Sequence, residues 1–174
     1  KSKMVSYGLA YGMEAFGLGQ RLGIRTDEAA TILDAYFAAF PNVQSYMDDT
    51  VAQAKSRGYT ETLFGRRRRI PELDSSNFRI RQAGERQAMN AAIQGLAADI
   101  FKIALIRIDQ ALSESALASR LVLQVHDEVL VESPLNEVEV VDALVLQIME
   151  QATKLDVPLA VNSAWGSTWA EAKS

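Results

Sequence analysis

Chemistry in this 174-residue chain concentrates at His126-Asp127-Glu128, where the only histidine stands beside two carboxylates. Residues 121–125 and 129–131 on either side are β-prone, and the pattern predicts strand, tight turn, strand. Hairpin turns ordinarily favour Asn-Gly or Asp-Gly. Acids held between apolar strands need compensation from water, a cation or a partner. A hard divalent cation such as Mg²⁺ suits that need, because few carboxylates hold it and its other positions go to water and phosphate. Taken alone, the triplet is more commonly an exposed turn of ordinary polar residues. Neighbouring side chains on extended backbone point to opposite faces, so Asp127 and Glu128 do not chelate one ion as a pair. A two-metal site therefore needs another carboxylate, and no candidate of comparable setting stands elsewhere in the chain.

Two rows at helical spacing could position substrates around such a site. Lys3, Tyr7 and Tyr11 fall at i, i+4 and i+8, a ladder about 12 Å long on one helix face. That length suits a nucleoside triphosphate, with the ammonium on phosphate and the phenol rings near sugar and base. Gly8 and Gly12 follow the tyrosines and would admit a flat ring, although each costs a helix about 1 kcal/mol relative to alanine. A core-facing tyrosine stripe is the commoner use of this spacing. Arg86, Asn90 and Gln94 repeat it. One guanidinium and two amides can reach minor-groove acceptors and sugar-phosphate, which test duplex geometry without reading sequence. A solvated helix face gives the same pattern.

Charge is divided along the chain. From Lys55 to Arg86 nine basic residues meet four acidic ones, a local +5, and from Asp109 to Asp156 ten acidic residues meet two basic ones, a local -8. Phosphate neutralisation depends on such local surface rather than on the net charge of -4. Two ordinary solvated faces remain an alternative. With 48% apolar and 23% charged residues, the composition is that of a globular protein. The absence of cysteine excludes disulfides and thiolate metal sites. No apolar run approaches the roughly 20 residues that span a bilayer, and no secretory signal pattern is present. The expectation is a cytoplasmic protein with no membrane partner.

The elements that must carry these residues follow from periodicity and punctuation. A helix is predicted over residues 3–16, ending at Gly17-Leu18-Gly19. Thr26 is the expected N-cap of a second helix, which Pro41 stops while starting a third. A short strand near 59–64, a turn or edge through Gly65 and Arg66 to Arg69, and a polar loop at 74–77 come next. A long helix over 78–112, broken near Gly95, leads to the hairpin. A helix over 138–154 and a closing strand at 157–161 complete an α+β chain with antiparallel strands.

Together these segments resemble the family A DNA polymerases over essentially the whole chain. Lys3-Met4-Val5-Ser6-Tyr7-Gly8-Leu9-Ala10-Tyr11-Gly12 is similar to the distal part of motif B, the nucleotide-binding fingers helix. Thr62-Leu63-Phe64-Gly65-Arg66-Arg67-Arg68 resembles the fingers-to-palm junction. Arg86 through Asp99 resembles the long palm helix under the primer-template, and Gln124-Val125-His126-Asp127-Glu128 resembles motif C. Val157-Pro158-Leu159 and Trp169-Ala170-Glu171-Ala172-Lys173 also fit.

The resemblance implies a fragment of a right-hand polymerase fold. Residues 1–63 would belong to the helical fingers, and residues 64–174 to a palm with antiparallel sheet and long helices. It implies DNA-directed DNA synthesis in replication and repair, with primer-template DNA and dNTPs as partners. Mg²⁺ would serve a two-metal mechanism, with Mn²⁺ as a substitute, in the bacterial cytoplasm and nucleoid. Lys3 would neutralise the triphosphate, Tyr7 would pack on its sugar and Tyr11 would guard the templating base. Arg86, Asn90 and Gln94 would contact the minor groove and backbone. His126 would hold the primer-terminal phosphate, Asp127 would ligate metal and Glu128 would assist. Motif A and the thumb are absent, so the upstream part of the same polymerase is an implied partner and the fragment alone would be inactive. Asn162 stands where the family usually carries an acid. A non-catalytic nucleic-acid-binding module derived from a polymerase is the alternative reading; a template-independent phosphohydrolase would leave the Lys3 ladder without a role.

Tyrosine at position 7 is associated in this family with acceptance of dideoxynucleotides. The parent enzyme is expected to discriminate weakly against chain terminators and Tyr7→Phe more strongly, as competition between dNTP and ddNTP would show. Strong discrimination already present with Tyr7 would reject this assignment.

Overall fold

The computed structural model describes Gly8 and residues 12–173, and it divides into two compact units, Lys1–Leu96 and Ala97–Ser174. The ladder residues Lys3, Tyr7 and Tyr11 lie outside the described residues. The observed class is the expected mixture of helices with antiparallel strands.

In the first unit, helices α1 (Ala15–Leu22) and α2 (Thr26–Ala39) pack on fully buried Leu18 and Ala29. The predicted stop at Gly17-Leu18-Gly19 is not used. Helix α1 runs through both glycines and ends at Gly23, whose φ of 69° is the left-handed cap that glycine accepts most readily. A Cβ on Gly19 would stand 3.0 Å from the Ile24 carbonyl oxygen, so Gly19 meets the returning chain instead of ending the helix. At the start of α2, Arg25 rather than Thr26 occupies the cap position; it pairs with Asp27 at 2.8 Å. Pro41 does begin helix α3 (Pro41–Arg57), where its missing N–H costs no bond.

Strands β1 (Tyr59–Glu61) and β2 (Arg67–Arg69) form an antiparallel hairpin, and a 3₁₀ turn (Pro71–Asp74) follows. Ala54, Ile70, Leu73 and Ala88 close a small core among α3, this turn and the next helix. That helix, α4 (Phe78–Glu114), is continuous through Gly95. The glycine has a packing reason: a Cβ there would lie 2.6 Å from the Thr62 γ-methyl, which marks where the hairpin meets the helix backbone.

In the second unit, strands β3 (Arg120–Val125) and β4 (Glu128–Glu132) pair antiparallel with a register irregularity between Leu121 and Leu123. Their Leu121, Val129 and Val131 pack on Ile108 and Leu112 from the end of α4 and on Val141 of helix α5 (Val138–Glu150). Fully burying a side chain such as Ile108 contributes about 1.5–3 kcal/mol. A short helix, α6 (Trp169–Ala172), follows. Residues 157–161 form no strand in this structure. A strand exists only as a pairing, and none of the described segments pairs with them.

Glu137 fastens the start of β3. Its carboxylate accepts the Ala118 N–H at 3.0 Å, the Ser119 N–H at 3.1 Å and the Ser119 hydroxyl at 2.6 Å. The Ala118 N–H first, and then the Ser119 hydroxyl, hold its pKa below the ordinary carboxylate range. A carboxyl depressed in the folded state adds stability above its unfolded pKa of about 4.3 and loses it as pH falls through the folded value. In urea titrations across that acid window, Glu137→Gln is expected to flatten the pH dependence and to lower the midpoint at pH 7. A slope unchanged by the substitution would show that the clamp does not form.

Candidate functional site

The β3–β4 connection is a two-residue turn. Val125 pairs with Glu128, leaving His126 and Asp127 at the tip and making Glu128 the first residue of β4. His126 has φ 54° in the first central position, where glycine or asparagine is favoured. For a histidine this left-handed backbone costs on the order of 1 kcal/mol, a strain more common at functional positions than elsewhere. Gln124 supports the turn by donating its side-chain amide to the His126 carbonyl oxygen at 2.8 Å.

His126 and Asp127 are exposed and Glu128 is half-buried. The tip thus avoids the desolvation cost expected for acids held between apolar strands. The carboxylates also differ in what they touch. Lys173 approaches Glu128 at 3.0 Å, whereas no ion pair engages Asp127 among the described residues. Asp127 therefore presents an exposed carboxylate, of the oxygen-donor type that takes a hard divalent cation. No group of three or more histidine or acidic side chains capable of holding a metal occurs among the described residues.

The second constellation lies in the first unit. Helix α4 keeps Arg86, Asn90 and Gln94 on one face, with Arg86 and Asn90 half-buried and Gln94 exposed. The Asn90 side-chain oxygen is buried without a hydrogen-bond partner. A buried acceptor in that condition costs about 1–3 kcal/mol. Gly12 lies against this helix: a Cβ on it, where φ is 68°, would stand 2.6 Å from the Met89 methyl and 3.3 Å from the Arg86 Cγ.

Gln94 also shares a cleft of about 300 Å³ with Thr60, Thr62, Arg66, Arg67 and Arg68 of the basic hairpin. The Arg67 guanidinium pairs with Glu61 at 2.6 Å and lies over the Tyr59 ring at 4.9 Å. Its pKa is raised chiefly by the Glu61 hydrogen bond. Arg68 donates to Gln87 of α4 at 3.3 Å. The arginine run and local positive charge signalled this hairpin in the sequence, but only the fold joins it to Gln94. Gln124 and Lys173 lie in recognised motifs, yet neither shows a spacing that reveals its contact.

A family model described as DNA polymerase family A matches residues 1–171. DNA polymerase I of Mycobacterium tuberculosis (strain ATCC 25618 / H37Rv) is 54% identical over 167 residues, which are 96% of this chain and 18% of that protein. DNA polymerase I of Bacillus subtilis (strain 168) is 49% identical over 173 residues, 99% of this chain and 20% of that protein. The chain thus spans about a fifth of these relatives. Among solved structures, the POL domain of Pol1 from M. smegmatis, in complex with DNA primer-template and dNTP, matches with a TM-score of 0.95 and 50% identity. The match covers 99% of this chain and 30% of that one.

The Gly95–Thr62 approach has a measurable consequence. Gly95→Ala gains about 1 kcal/mol of helix propensity but overpacks the Thr62 methyl, at a cost of about 1–3 kcal/mol. Urea unfolding should find it neutral or destabilising alone, and stabilising when Thr62→Ser removes that methyl. A stabilising effect of equal size in both backgrounds would show that the hairpin does not rest on the helix there.

Proposed function

The chain belongs to DNA polymerase family A, and we propose that it is the distal fingers and palm portion of a bacterial DNA-directed DNA polymerase. Residues 1–63 supply fingers and residues 64–174 supply palm. The whole protein adds deoxynucleotides to a primer 3′-hydroxyl under template direction, in the cytoplasm at the nucleoid. The single observation that carries this reading is the exposed Asp127 at the tip of the β3–β4 hairpin, in a fold matched by a polymerase domain.

In this reading the chain's residues bind and orient. Lys3 neutralises the triphosphate, Tyr7 packs on the sugar and Tyr11 stands near the templating base. Arg86, Asn90 and Gln94 contact the minor groove and sugar-phosphate. Arg66 and Arg68, beside Gln94, track the phosphate backbone. His126 holds the primer-terminal phosphate next to Asp127.

Asp127 fits a Mg²⁺ ion, or Mn²⁺ in its place, because its carboxylate is exposed and the adjoining Glu128 is paired with Lys173. Such an ion supplies Lewis acidity to phosphate oxygens and lowers the pKa of a bound hydroxyl. Glu128 assists from beside the site. A second carboxylate is required from the upstream motif A of the same polymerase.

Primer extension tests the reading in two ways. The 174-residue chain alone should show no Mg²⁺-dependent extension. In the full-length polymerase, Asp127→Ala should lower turnover by roughly 10³-fold or more, as loss of a metal ligand in charge-stabilised phosphoryl transfer implies, with little change in melting temperature. Near-normal extension by that variant would overturn the assignment.

A further inference from the structure

Glu128 differs from its neighbour in being held. The Lys173 ammonium lies 3.0 Å from Oε1 and 3.1 Å from Oε2 of its carboxylate. The same ammonium stands 5.3 Å from the centroid of the Trp169 ring, within cation–π range. The segment that carries both residues is itself tied down. Thr168 Oγ1 accepts the Glu171 N–H at 3.3 Å, and Glu171 Oε2 accepts the Ser167 N–H at 2.8 Å. Val129 and Val131 face α4 and α5, so Glu128 and Leu130 fall on the opposite face of the hairpin.

An ion pair this exposed adds little to stability. Its larger effect is to decide where negative charge stands beside Asp127. We propose that Lys173 is a positioning residue: it fixes the Glu128 carboxylate and offsets its charge, so that the acidic turn presents Asp127 to the divalent cation without overbinding it. The negative charge beside the ion is thereby partly neutralised. The inference rests on the reading of Asp127 as a metal ligand.

The test titrates Mn²⁺ against the full-length polymerase bound to primer-template, with free Mn²⁺ read by electron paramagnetic resonance. Lys173→Met releases Glu128 and should tighten Mn²⁺ binding by about three- to tenfold at low salt, and by less at high salt. Lys173→Arg should keep the parent affinity, because the cation is retained. In a Glu128→Gln background Lys173→Met should have no such effect, since the carboxylate it releases is gone. A gain of equal size in both backgrounds would make Lys173 a remote charge and overturn the proposal, as would no gain in either. Asp127→Asn separates the two levels. Mn²⁺ affinity unchanged by Asp127→Asn would sink the metal-site reading and this inference together. A loss there, with Lys173→Met silent, would reject the role of Lys173 only.

Discussion

A two-stranded hairpin is marginal in water by itself, because it has too little apolar surface to offset the ordering of its backbone. The β3–β4 pair is held by burying one face, Leu121, Val129 and Val131, against Ile108, Leu112 and Val141. Slipping the register by one residue would turn that face to water, so the packing selects a single pairing. Every feature of the acidic turn follows from the pairing.

The irregularity between Leu121 and Leu123 shows how. With regular pairing from Leu121 opposite Val131, Gln124 would face Glu128, and Val125, His126 and Asp127 would form a three-residue loop. The extra residue instead sets Val125 opposite Glu128 and leaves only His126 and Asp127 to turn the chain. His126 is thereby forced to positive φ, Asp127 stands at the tip, and Glu128 starts a strand on the face where Lys173 meets it. A bulge several residues away thus separates two adjacent carboxylates into one held and one presented. Glu137, bonded to Ala118 and Ser119, anchors the same strand at its other end.

The first unit uses a different device to bring polar groups together. Helix spacing alone aligns Arg86, Asn90 and Gln94, but the basic hairpin joins them only because Gly95 lets Thr62 approach the helix. The same glycine misleads when read locally. An isolated helix pays for it in entropy and propensity, whereas this helix exchanges that loss for contact.

Features that depend on near neighbours along the chain were legible in the sequence. Pro41 marks a helix start because its ring and missing N–H act at the residue itself. The ladder of Arg86, Asn90 and Gln94 follows from a period of 3.6, and the β-prone runs around His126 announce a hairpin. The ordered motifs carried the family as well. Tertiary structure decided what depends on distant partners. Gly19 and Gly95 stay inside helices because other segments press on them, and residues 157–161 remain unpaired because a strand needs a neighbour. The pairing of Glu128 with Lys173, 45 residues away, is also a tertiary outcome. Local sequence sets backbone preference and side-chain chemistry; which carboxylate is held in an ion pair is set by contacts between residues far apart in the chain.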